Sequence, residues 1–303
     1  MEYGALRLLR SAPHVIVVGN GKGGTDKTTL AMHVAVGLLN AGQKVGTLDL
    51  DPDQQCLTRY CDNRRAWSNH GEIDLAMPVH RHVASATGMR VDDNEAADLA
   101  SLEAAIAALA PSCDFLVIDT PSQDTYLARI AHLIADSILT PLQDSFLDLC
   151  SLGVLDPVTR EIVRTGHYAA SVCAARKARR RVDPDFSDWV VIRRRTAASP
   201  LTEPALGEIG RHIGFRHIAG LSERALYRQL FPFGLTPLDP LPPMTPGVND
   251  VSHLAARSEV DTLLHRLHLP FGERGLRRAA ARAEWFARRA LPLQFDEILA
   301  EEE

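Results

Sequence analysis

The residues best suited to chemistry lie in one short segment, GNGKGGTDKTT at residues 19–29. An apolar run, HVIVV, precedes this segment, and a helix-like stretch, LAMHVAVGLLNAG, follows it. A glycine-rich loop between a buried strand and a helix directs backbone N–H groups and the helix N-terminus toward an anion. The types and spacing of these residues therefore predict a loop that holds phosphate groups.

The segment matches the phosphate-loop pattern G-x-x-x-x-G-K-[ST] at every fixed position except one, where Asp26 replaces glycine. In this pattern Lys27 reaches the β- and γ-phosphates, and the Thr28 hydroxyl is a ligand of Mg²⁺. Strand, loop, lysine, threonine and helix occur in the required order, which argues against an ordinary glycine-rich turn. The residues expected to contact the nucleotide are Gly21, Gly23, Gly24, Thr25, Asp26, Lys27, Thr28 and Thr29.

Asp26 places a carboxylate where the loop should accept anions. Aspartate tolerates the left-handed backbone that glycine adopts there, at a cost of ~1–2 kcal/mol. A carboxylate ~4 Å from one phosphate charge costs about 4 kcal/mol at an effective dielectric of 20, half of the ~8 kcal/mol that micromolar binding is worth. An inward carboxylate would weaken binding roughly a thousandfold, and Asp26→Gly would then tighten it at least about tenfold. The alternatives are an outward carboxylate and an ion pair with Lys22.

Short apolar strands alternate with helical segments along the chain. This order predicts an α/β fold with a doubly wound, mostly parallel sheet. The predicted strands cover 14–19, 44–50, 114–120, 136–142 and 188–194, and the predicted helices cover 28–41, 94–110, 122–135 and 249–267. We expect an N-terminal extension (1–13), one phosphate-loop domain (14–268) and a C-terminal tail (269–303) with a basic helix and an acidic end.

Composition limits the classes of partner. A net charge of −5 gives no global reason to expect nucleic-acid or membrane binding, so any such surface must be local. Five scattered cysteines without a CxxC pair indicate reduced thiols in a cytoplasmic protein. The N-terminus lacks a signal-peptide layout, and no apolar run approaches about 18 residues. The apolar face of the tail helix is mostly alanine, so we do not expect membrane contact.

The loop carries a second lysine, because K-G-G-x-x-K-[ST] runs from Lys22 to Thr28. This pattern resembles the deviant phosphate loop of the ParA/MinD family of P-loop ATPases. Two further segments, LDLDPDQ at 48–54 and FLVIDTP at 115–121, resemble the family's strand-end motifs. The resemblance implies a P-loop NTPase fold, ATP and Mg²⁺ as cofactors, and a homodimer in the presence of ATP.

The same resemblance implies roles for charged residues in these segments. Lys22 would reach across a dimer interface to the partner's nucleotide, and Asp51 would orient the attacking water. Asp119 would hold Mg²⁺ through water, with Asp49 near the metal's water shell. The catalytic residues expected are thus Lys22, Lys27 and Asp51, and the metal-site residues expected are Thr28, Asp49 and Asp119.

Segments outside the common ATPase motifs resemble the MipZ branch of this family. They include NRRAW at 63–67, LTPLQDSFLDL at 139–149 and YRQLFPFGLTPLD at 227–239. The resemblance implies division-site placement by a dimer that binds DNA without sequence preference, takes ParB as its polar source and blocks FtsZ assembly. It also places the residues that recognise the base around 231–239.

The expected DNA surface and the effect of Asp26 leave alternatives open. The segment 196–214 is poor in basic residues, so we expect DNA contacts through two clusters, Arg176–Arg181 and Arg193–Arg195, unless these are a solvated helix face. Asp26 is compatible with a weak ATPase, with a scaffold that works without ATP, or with a change that abolishes binding. We favour a MipZ-like ATPase over a ParA-type DNA-partitioning ATPase and a nucleotide-independent scaffold.

Overall fold

The computed structural model describes residues 13–71, 73–143, 145–156, 158–159, 161–182, 187–195, 202–241 and 250–271. Almost all of the expected N-terminal extension and residues 272–303 of the expected tail lie outside the described residues. The division of the chain at residues 13 and 268 therefore stays a prediction.

A central parallel sheet organises the described part of the chain. The strands are β1 (His14–Val18), β2 (Val45–Asp49), β3 (Val79–His82), β4 (Phe115–Asp119), β5 (Ser137–Leu142), β6 (Gly153–Leu155), β7 (Ile162–Thr165), β8 (Asp188–Arg195) and β9 (Arg216–Ser222). Seven of these strands form one sheet in the order β3-β2-β4-β1-β5-β8-β9, with every neighbouring pair parallel. The short strands β6 and β7 form a separate antiparallel pair.

Helices cover both faces of the sheet, which makes the fold doubly wound as predicted. The helices are α1 (Lys27–Asn40), α2 (Cys56–Gly71), α3 (Val91–Leu109), α4 (Tyr126–Ile134), α5 (Phe146–Leu149), α6 (His167–Val182), α7 (Thr202–Ile213), α8 (Ala225–Leu230) and α9 (Asp250–Leu267). One core cluster contains side chains of α3, α4, α6 and α7. The other contains side chains of α1, α2, α8 and α9.

The central strands are buried on both faces, which explains why they are continuous apolar runs. In β1, Val15 and Val17 belong to one core cluster, whereas Ile16 and Val18 belong to the other. A strand covered by helices on both sides needs no polar face, so its sequence does not alternate. This pattern is what made the five central strands predictable.

The elements that sequence analysis missed are those with polar or weakly periodic sequences. Strand β3 reads VHRH, and its residues alternate between exposed and half-buried positions. Strand β9 reads RHIAGLS, and all but one of its residues are half-buried. Helix α7 contains Pro204 in its first turn, where proline is tolerated because the N–H groups there have no helical partner. The proline-rich segment after residue 231 forms a single 3₁₀ turn, Phe231–Phe233, within its described part.

The sheet order fixes where a ligand can bind. Strand β1 lies between β4 and β5 in the sheet. The next strands along the chain, β2 to β4, lie on one side of β1, and the later strands β5, β8 and β9 lie on the other side. Open α/β sheets bind ligands beyond the carboxyl ends of their strands at such a switch point. The loop after β1 therefore lies where the fold is expected to place a site.

Candidate functional site

The loop of residues 19–26 joins the end of β1 to the start of α1, as predicted. Gln143 Nε2 donates a hydrogen bond to the Gly24 carbonyl at 2.8 Å, and Asn20 Nδ2 donates to the Pro141 carbonyl at 2.6 Å. Gly24 has a φ of 72°, a left-handed conformation that glycine adopts without steric cost. These contacts fasten the loop to the end of β5.

The remaining predicted contact residues of the loop lie together at the same junction. Gly21 and Gly23 are exposed, Thr29 is partly buried, and Thr25 is buried. The Thr25 hydroxyl donates a hydrogen bond to the Lys22 carbonyl at 3.3 Å, which closes the loop on itself. The exposed glycines thus lie at the N-terminus of α1, where an anion is favoured.

Asp26 turns its carboxylate outward. Its backbone is left-handed, with φ 63° and ψ 31°, and its side chain makes no capping hydrogen bond to α1. The carboxylate lies 3.4 Å from a guanidinium nitrogen of Arg194, and half of the Asp26 side chain is exposed. The sequence also allowed an inward carboxylate or an ion pair with Lys22, and the described contacts of Asp26 show neither of these. The direct repulsion of about 4 kcal/mol expected for an inward carboxylate is therefore not the effect of Asp26 in this conformation.

Lys27 and Thr28 lie at the first turn of α1 and face the end of β4. The Lys27 ammonium is buried and donates hydrogen bonds to the Lys22 carbonyl at 3.2 Å and to Ser122 Oγ at 2.7 Å. The Thr28 hydroxyl donates to Asp119 Oδ2 at 2.6 Å. Three of the residues predicted to act on the γ-phosphate and its metal, Lys27, Thr28 and Asp119, thus lie together at this junction.

Burial shifts the protonation equilibria of this pair of charges. Burial lowers the pKa of Lys27, and the carboxylates of Asp119 and Asp51 oppose that decrease. Burial raises the pKa of Asp119 to about 7, while the hydrogen bond from Thr28 opposes the rise. Both directions show that the site holds its charges at a cost, and a bound cation beside Asp119 would offset the cost of that carboxylate.

The donor set at Asp119 fits Mg²⁺. Asp119 Oδ1 is buried and has no hydrogen-bond partner, whereas Oδ2 accepts from the Thr28 hydroxyl. Mg²⁺ prefers oxygen ligands and usually binds through one or two side chains, waters and substrate phosphates. Residues 13–271, as far as they are described, contain no group of three or more His, Cys, Asp or Glu side chains arranged to hold a metal. A cation here would therefore depend on the phosphates as well as on the protein.

Asp49 ends β2 and Asp51 follows it, at the same edge of the sheet as Asp119. Asp49 is opposite Asp119 in the register of β2 with β4. Its Oδ2 accepts hydrogen bonds from the Thr58 N–H and hydroxyl at 2.9 and 3.0 Å, and its Oδ1 accepts from the Asp51 N–H at 3.0 Å. Both oxygens of Asp49 are thus engaged in shaping the turn. Asp51 accepts through Oδ1 from the N–H groups of Asp53 and Gln54 at 3.0 and 2.9 Å.

Lys22 makes an ion pair within its own chain. Its ammonium contacts Asp148 Oδ1, and Ser145 Oγ donates to the other oxygen of that carboxylate at 2.5 Å. Asp148 is buried, whereas 46% of the Lys22 side chain is exposed. The predicted reach of Lys22 toward a partner chain thus requires this pair to open.

Sequence reasoning missed Asp148, Ser122 and Arg194 as members of the site. Asp148 lies 126 residues from Lys22, and Ser122 lies 95 residues from Lys27. No fixed spacing links such residues to the loop. The one available signal was their position, because each follows the carboxyl end of a predicted parallel strand or ends it.

The segments NRRAW and YRQLFPFGLTPLD clasp one another. Arg64 is fully buried and makes two hydrogen bonds to Asp239, at 2.8 and 2.6 Å. It also donates to the Gly234 carbonyl at 3.0 Å, and Tyr60 donates to the Leu235 carbonyl at 2.7 Å. A Cβ on Gly234, whose φ is 64°, would lie 2.0 Å from the Arg64 nitrogen. Residues 231–239 therefore pack on α2, and the preceding segment 221–228 contributes to the lining of the cleft beside the phosphate loop.

Burial removes part of the expected DNA surface. Arg176 is buried and donates to the Gly214 carbonyl at 2.8 Å, and Arg179 is buried and donates to Asp136 at 2.5 Å. Arg193 pairs with Glu203. The side chain of Arg195 lies outside the described residues. The exposed cations of the first cluster are Lys177, Arg180 and Arg181.

A family model described as ATPase MipZ matches residues 14–271. The chain belongs to the MipZ family of ATPases. The match spans the loop, the two strand-end motifs and the clasp between NRRAW and YRQLFPFG. The described helices include none that is long and apolar enough to cross a membrane.

Solved structures and curated proteins resemble this MipZ-family chain in fold or in part of its sequence. An McdA variant of Cyanothece in complex with ATP has a TM-score of 0.53 and 17% identity, over 85% of this chain and 96% of that one, which shows the shared fold. A cytosolic Fe-S cluster assembly factor NUBP2 homolog of Monosiga brevicollis is 29% identical over 41% of this chain and 49% of its own length. The iron-sulfur cluster carrier protein of Escherichia coli K12 is also 29% identical, over 37% of this chain and 33% of its own length. The chain thus spans half or less of these two curated relatives.

Proposed function

We propose that this MipZ-family chain is an ATPase whose dimerisation is controlled by ATP and Mg²⁺. In this proposal the dimer inhibits FtsZ assembly along a chromosome-associated gradient and so regulates division-site placement. The observation that carries the proposal is the assembled junction, with Lys27 buried against the loop and the Thr28 hydroxyl bonded to Asp119. The family match over residues 14–271 supports the same conclusion, and the ATP complex of the Cyanothece neighbour supports a nucleotide as ligand.

The residues of the junction have distinct roles in the proposed reaction. Lys27 stabilises the transferring phosphoryl group, since its ammonium already lies inside the loop. Asp51 keeps one oxygen for the turn and offers the other to a water. Thr28 and Asp119 hold Mg²⁺, which when bound neutralises charge on the phosphate oxygens. Asp49 supports Asp51 and the turn through its hydrogen bonds.

Lys22 couples the site to dimerisation in this proposal. It pairs with Asp148 in the described conformation and would turn to the partner's nucleotide in the dimer. Its half-exposed side chain permits this movement, but Asp148 is buried, so opening this pair costs more than opening a pair at the surface. After this movement the Asp148 carboxylate would still accept the hydrogen bond from the Ser145 hydroxyl.

Partners and boundaries complete the proposal. ParB is the expected polar source, and DNA would bind without sequence preference through phosphate contacts of Lys177, Arg180 and Arg181. The working domain covers 14–268, between an extension at 1–13 and a tail at 269–303.

The test combines nucleotide binding, oligomeric state and FtsZ assembly. We expect the wild type to bind Mg–ATP, to become dimeric with it and to reduce FtsZ light scattering only when ATP is present. Lys27→Ala should lose binding, whereas Lys22→Ala should bind ATP but stay monomeric. Full FtsZ assembly in the presence of the ATP-bound dimer would refute the division-site role and favour ParA-type DNA partitioning.

A second candidate is a scaffold that works without nucleotide. The ion pair between Asp26 and Arg194 favours it, because this pair engages the residue that departs from the phosphate-loop pattern. FtsZ inhibition of equal strength in the wild type and in Lys27→Ala, without ATP, would support the scaffold over the ATPase.

A further inference from the structure

Asp26 and Arg194 meet at the side of the phosphate loop, and each lies at a local irregularity of the backbone. Asp26 has a left-handed backbone with φ 63°. Arg194 lies where the register of β8 against β9 shifts, between Arg193 and Arg195. Such irregularities re-aim side chains and are common next to active sites. Here both irregularities direct opposite charges toward one another, to a separation of 3.4 Å.

The ion pair is part of a longer chain of charges, which we call the ionic strap: Asp26, Arg194, Glu223 and Arg228. Arg194 lies 3.5 Å from Glu223, and Arg228 lies 3.8 Å from the same carboxylate. The strap therefore connects the phosphate loop to α8, which forms the opposite wall of the cleft beside the loop. Asp26, Arg194 and Arg228 of the strap also line this cleft.

The cleft has the lining of a nucleoside pocket but not the size. Its walls include Leu30, Pro141, Leu142, Ile192, Leu221 and Tyr227, together with the loop residues Thr25 and Thr29. Apolar and aromatic walls with a few polar groups suit a heterocyclic base. The free volume is only about 60 Å³, whereas pockets that enclose organic ligands hold ~300–1,000 Å³. The described cleft is therefore too small to enclose a nucleoside.

We propose that Asp26 and Arg194 determine ligand selection by this chain. The closed strap excludes the nucleoside and leaves the phosphate loop open to a bare polyphosphate. A nucleoside triphosphate binds fully only after Asp26 and Arg194 separate. This inference rests on the proposed function, because it assumes that the loop binds polyphosphate.

The exposure of the pair sets the size of the effect. The Asp26 side chain is 54% exposed and that of Arg194 is 20% exposed. Ion pairs this accessible are weak. The need to open the strap should therefore reduce the affinity for a nucleotide by about fivefold and not by many thousandfold. The wild type should therefore bind both ligands, but it should favour ATP over tripolyphosphate less than a strap-free variant does.

The experiment compares two ligands on five proteins by calorimetry. The ligands are Mg–ATP and Mg–tripolyphosphate, and the measured quantity is the ratio of their affinities. The ratio cancels any effect of a substitution on the phosphate loop itself, because both ligands use that loop. The proteins are the wild type, Asp26→Asn, Arg194→Gln, the double variant and Arg211→Gln, an exposed arginine that pairs with Glu208 outside the cleft.

We expect each single variant to raise the ratio in favour of ATP by about fivefold, because either change opens the strap. The double variant should give the same fivefold and not the product, since both substitutions remove one interaction. Arg211→Gln should leave the ratio unchanged. Thermal melts check folding, which these partly exposed positions should preserve.

Two negative results are distinguishable. If tripolyphosphate binds and all five proteins share one ratio, or if the double variant gives the product, ligand selection by the strap is overturned and the phosphate loop stands. If neither ligand binds any of the five proteins, the proposed function fails and the strap proposal fails with it.

Discussion

Thr28 carries a prediction that separates the chemistry of its hydroxyl from its packing. Its hydrogen bond to Asp119 aligns the donor set that fits Mg²⁺. Removing a hydrogen bond to a charged group costs ~1.5–3 kcal/mol, so Thr28→Ala should weaken Mg–ATP binding at least about tenfold. Thr28→Ser keeps the hydroxyl and should stay within about threefold of the wild type. Calorimetry at fixed Mg²⁺ measures both.

The matched control for Thr28 is ATP binding in EDTA. Without Mg²⁺ the wild type, Thr28→Ala and Thr28→Ser should bind ATP equally, because the hydroxyl then has no metal to serve. Equal losses in Thr28→Ala with and without Mg²⁺ would contradict a metal role and indicate a packing defect in the loop.

At the scale of single residues, the sequence predicts functional residues that are neighbours in the chain and misses contacts between residues far apart in it. Lys27 and Thr28 were predictable because loop, lysine and threonine occupy fixed positions in a short pattern. The orientation of Asp26 was not, because it depends on Arg194, which reaches it only through the order of strands and a local shift in β8. A charge in a motif can therefore be recognised from sequence, but its partner follows from the fold.

The clasp between α2 and the 231–239 segment carries the prediction at the scale of elements. Arg64 is fully buried and its only described carboxylate partner is Asp239. Removing one partner of a buried ion pair leaves the other uncompensated, at ~3–5 kcal/mol. Arg64→Met and Asp239→Asn should each lower the free energy of unfolding by about 3 kcal/mol or more in urea denaturation.

The neighbouring arginine provides the control for the clasp. Arg65 pairs with Asp62 on the surface, and more than half of each side chain is exposed. Arg65→Ala should change the free energy of unfolding by less than about 0.5 kcal/mol. If Arg64→Met were as mild as Arg65→Ala, the clasp would not be a stabilising unit.

Element prediction succeeded where the strands are buried on both sides. The runs HVIVV and FLVID need no polar face, and they were found with bounds close to those of β1 and β4. Strand β3 lies at an edge of the sheet, and partial exposure lets it carry two histidines and an arginine. Its apolar pattern is therefore too weak to predict a strand from the sequence without knowledge of its neighbour β2.

At the scale of the whole molecule, the fold class was predictable and the distribution of charge was not. Alternating apolar strands and helices suffice for a doubly wound sheet. The basic run of α6, however, divides between the surface and the core, because Arg176 and Arg179 reach back to Gly214 and Asp136. A run of like charges in a sequence thus does not measure the positive surface that DNA would meet.

Two buried histidines, on helices that cover opposite faces of the sheet, link stability to pH. His33 lies on α1 against Tyr227, and His132 lies on α4 with its Nε2 3.2 Å from the Tyr168 hydroxyl. Burial lowers the pKa of each histidine to about 4. The unfolded chain binds these protons near pH 6.5, so between pH 6.5 and 4 it holds more protons than the native state. Stability contributed by each histidine is therefore complete above pH 6.5 and is lost as the pH falls toward 4.

The prediction is a change in the pH slope of unfolding. Each histidine adds up to about 1.4 kcal/mol per pH unit to that slope, so His33→Asn and His132→Gln should each flatten it by up to this amount between pH 6.5 and 4.5. The asparagine and glutamine side chains keep the hydrogen bond of one ring nitrogen but do not titrate. Comparing slopes between variants cancels carboxylates such as Asp119, whose raised pKa acts in the opposite direction. Urea unfolding at several pH values measures the slopes, and unchanged slopes in both core variants would show that these histidines titrate alike in the folded and unfolded chain.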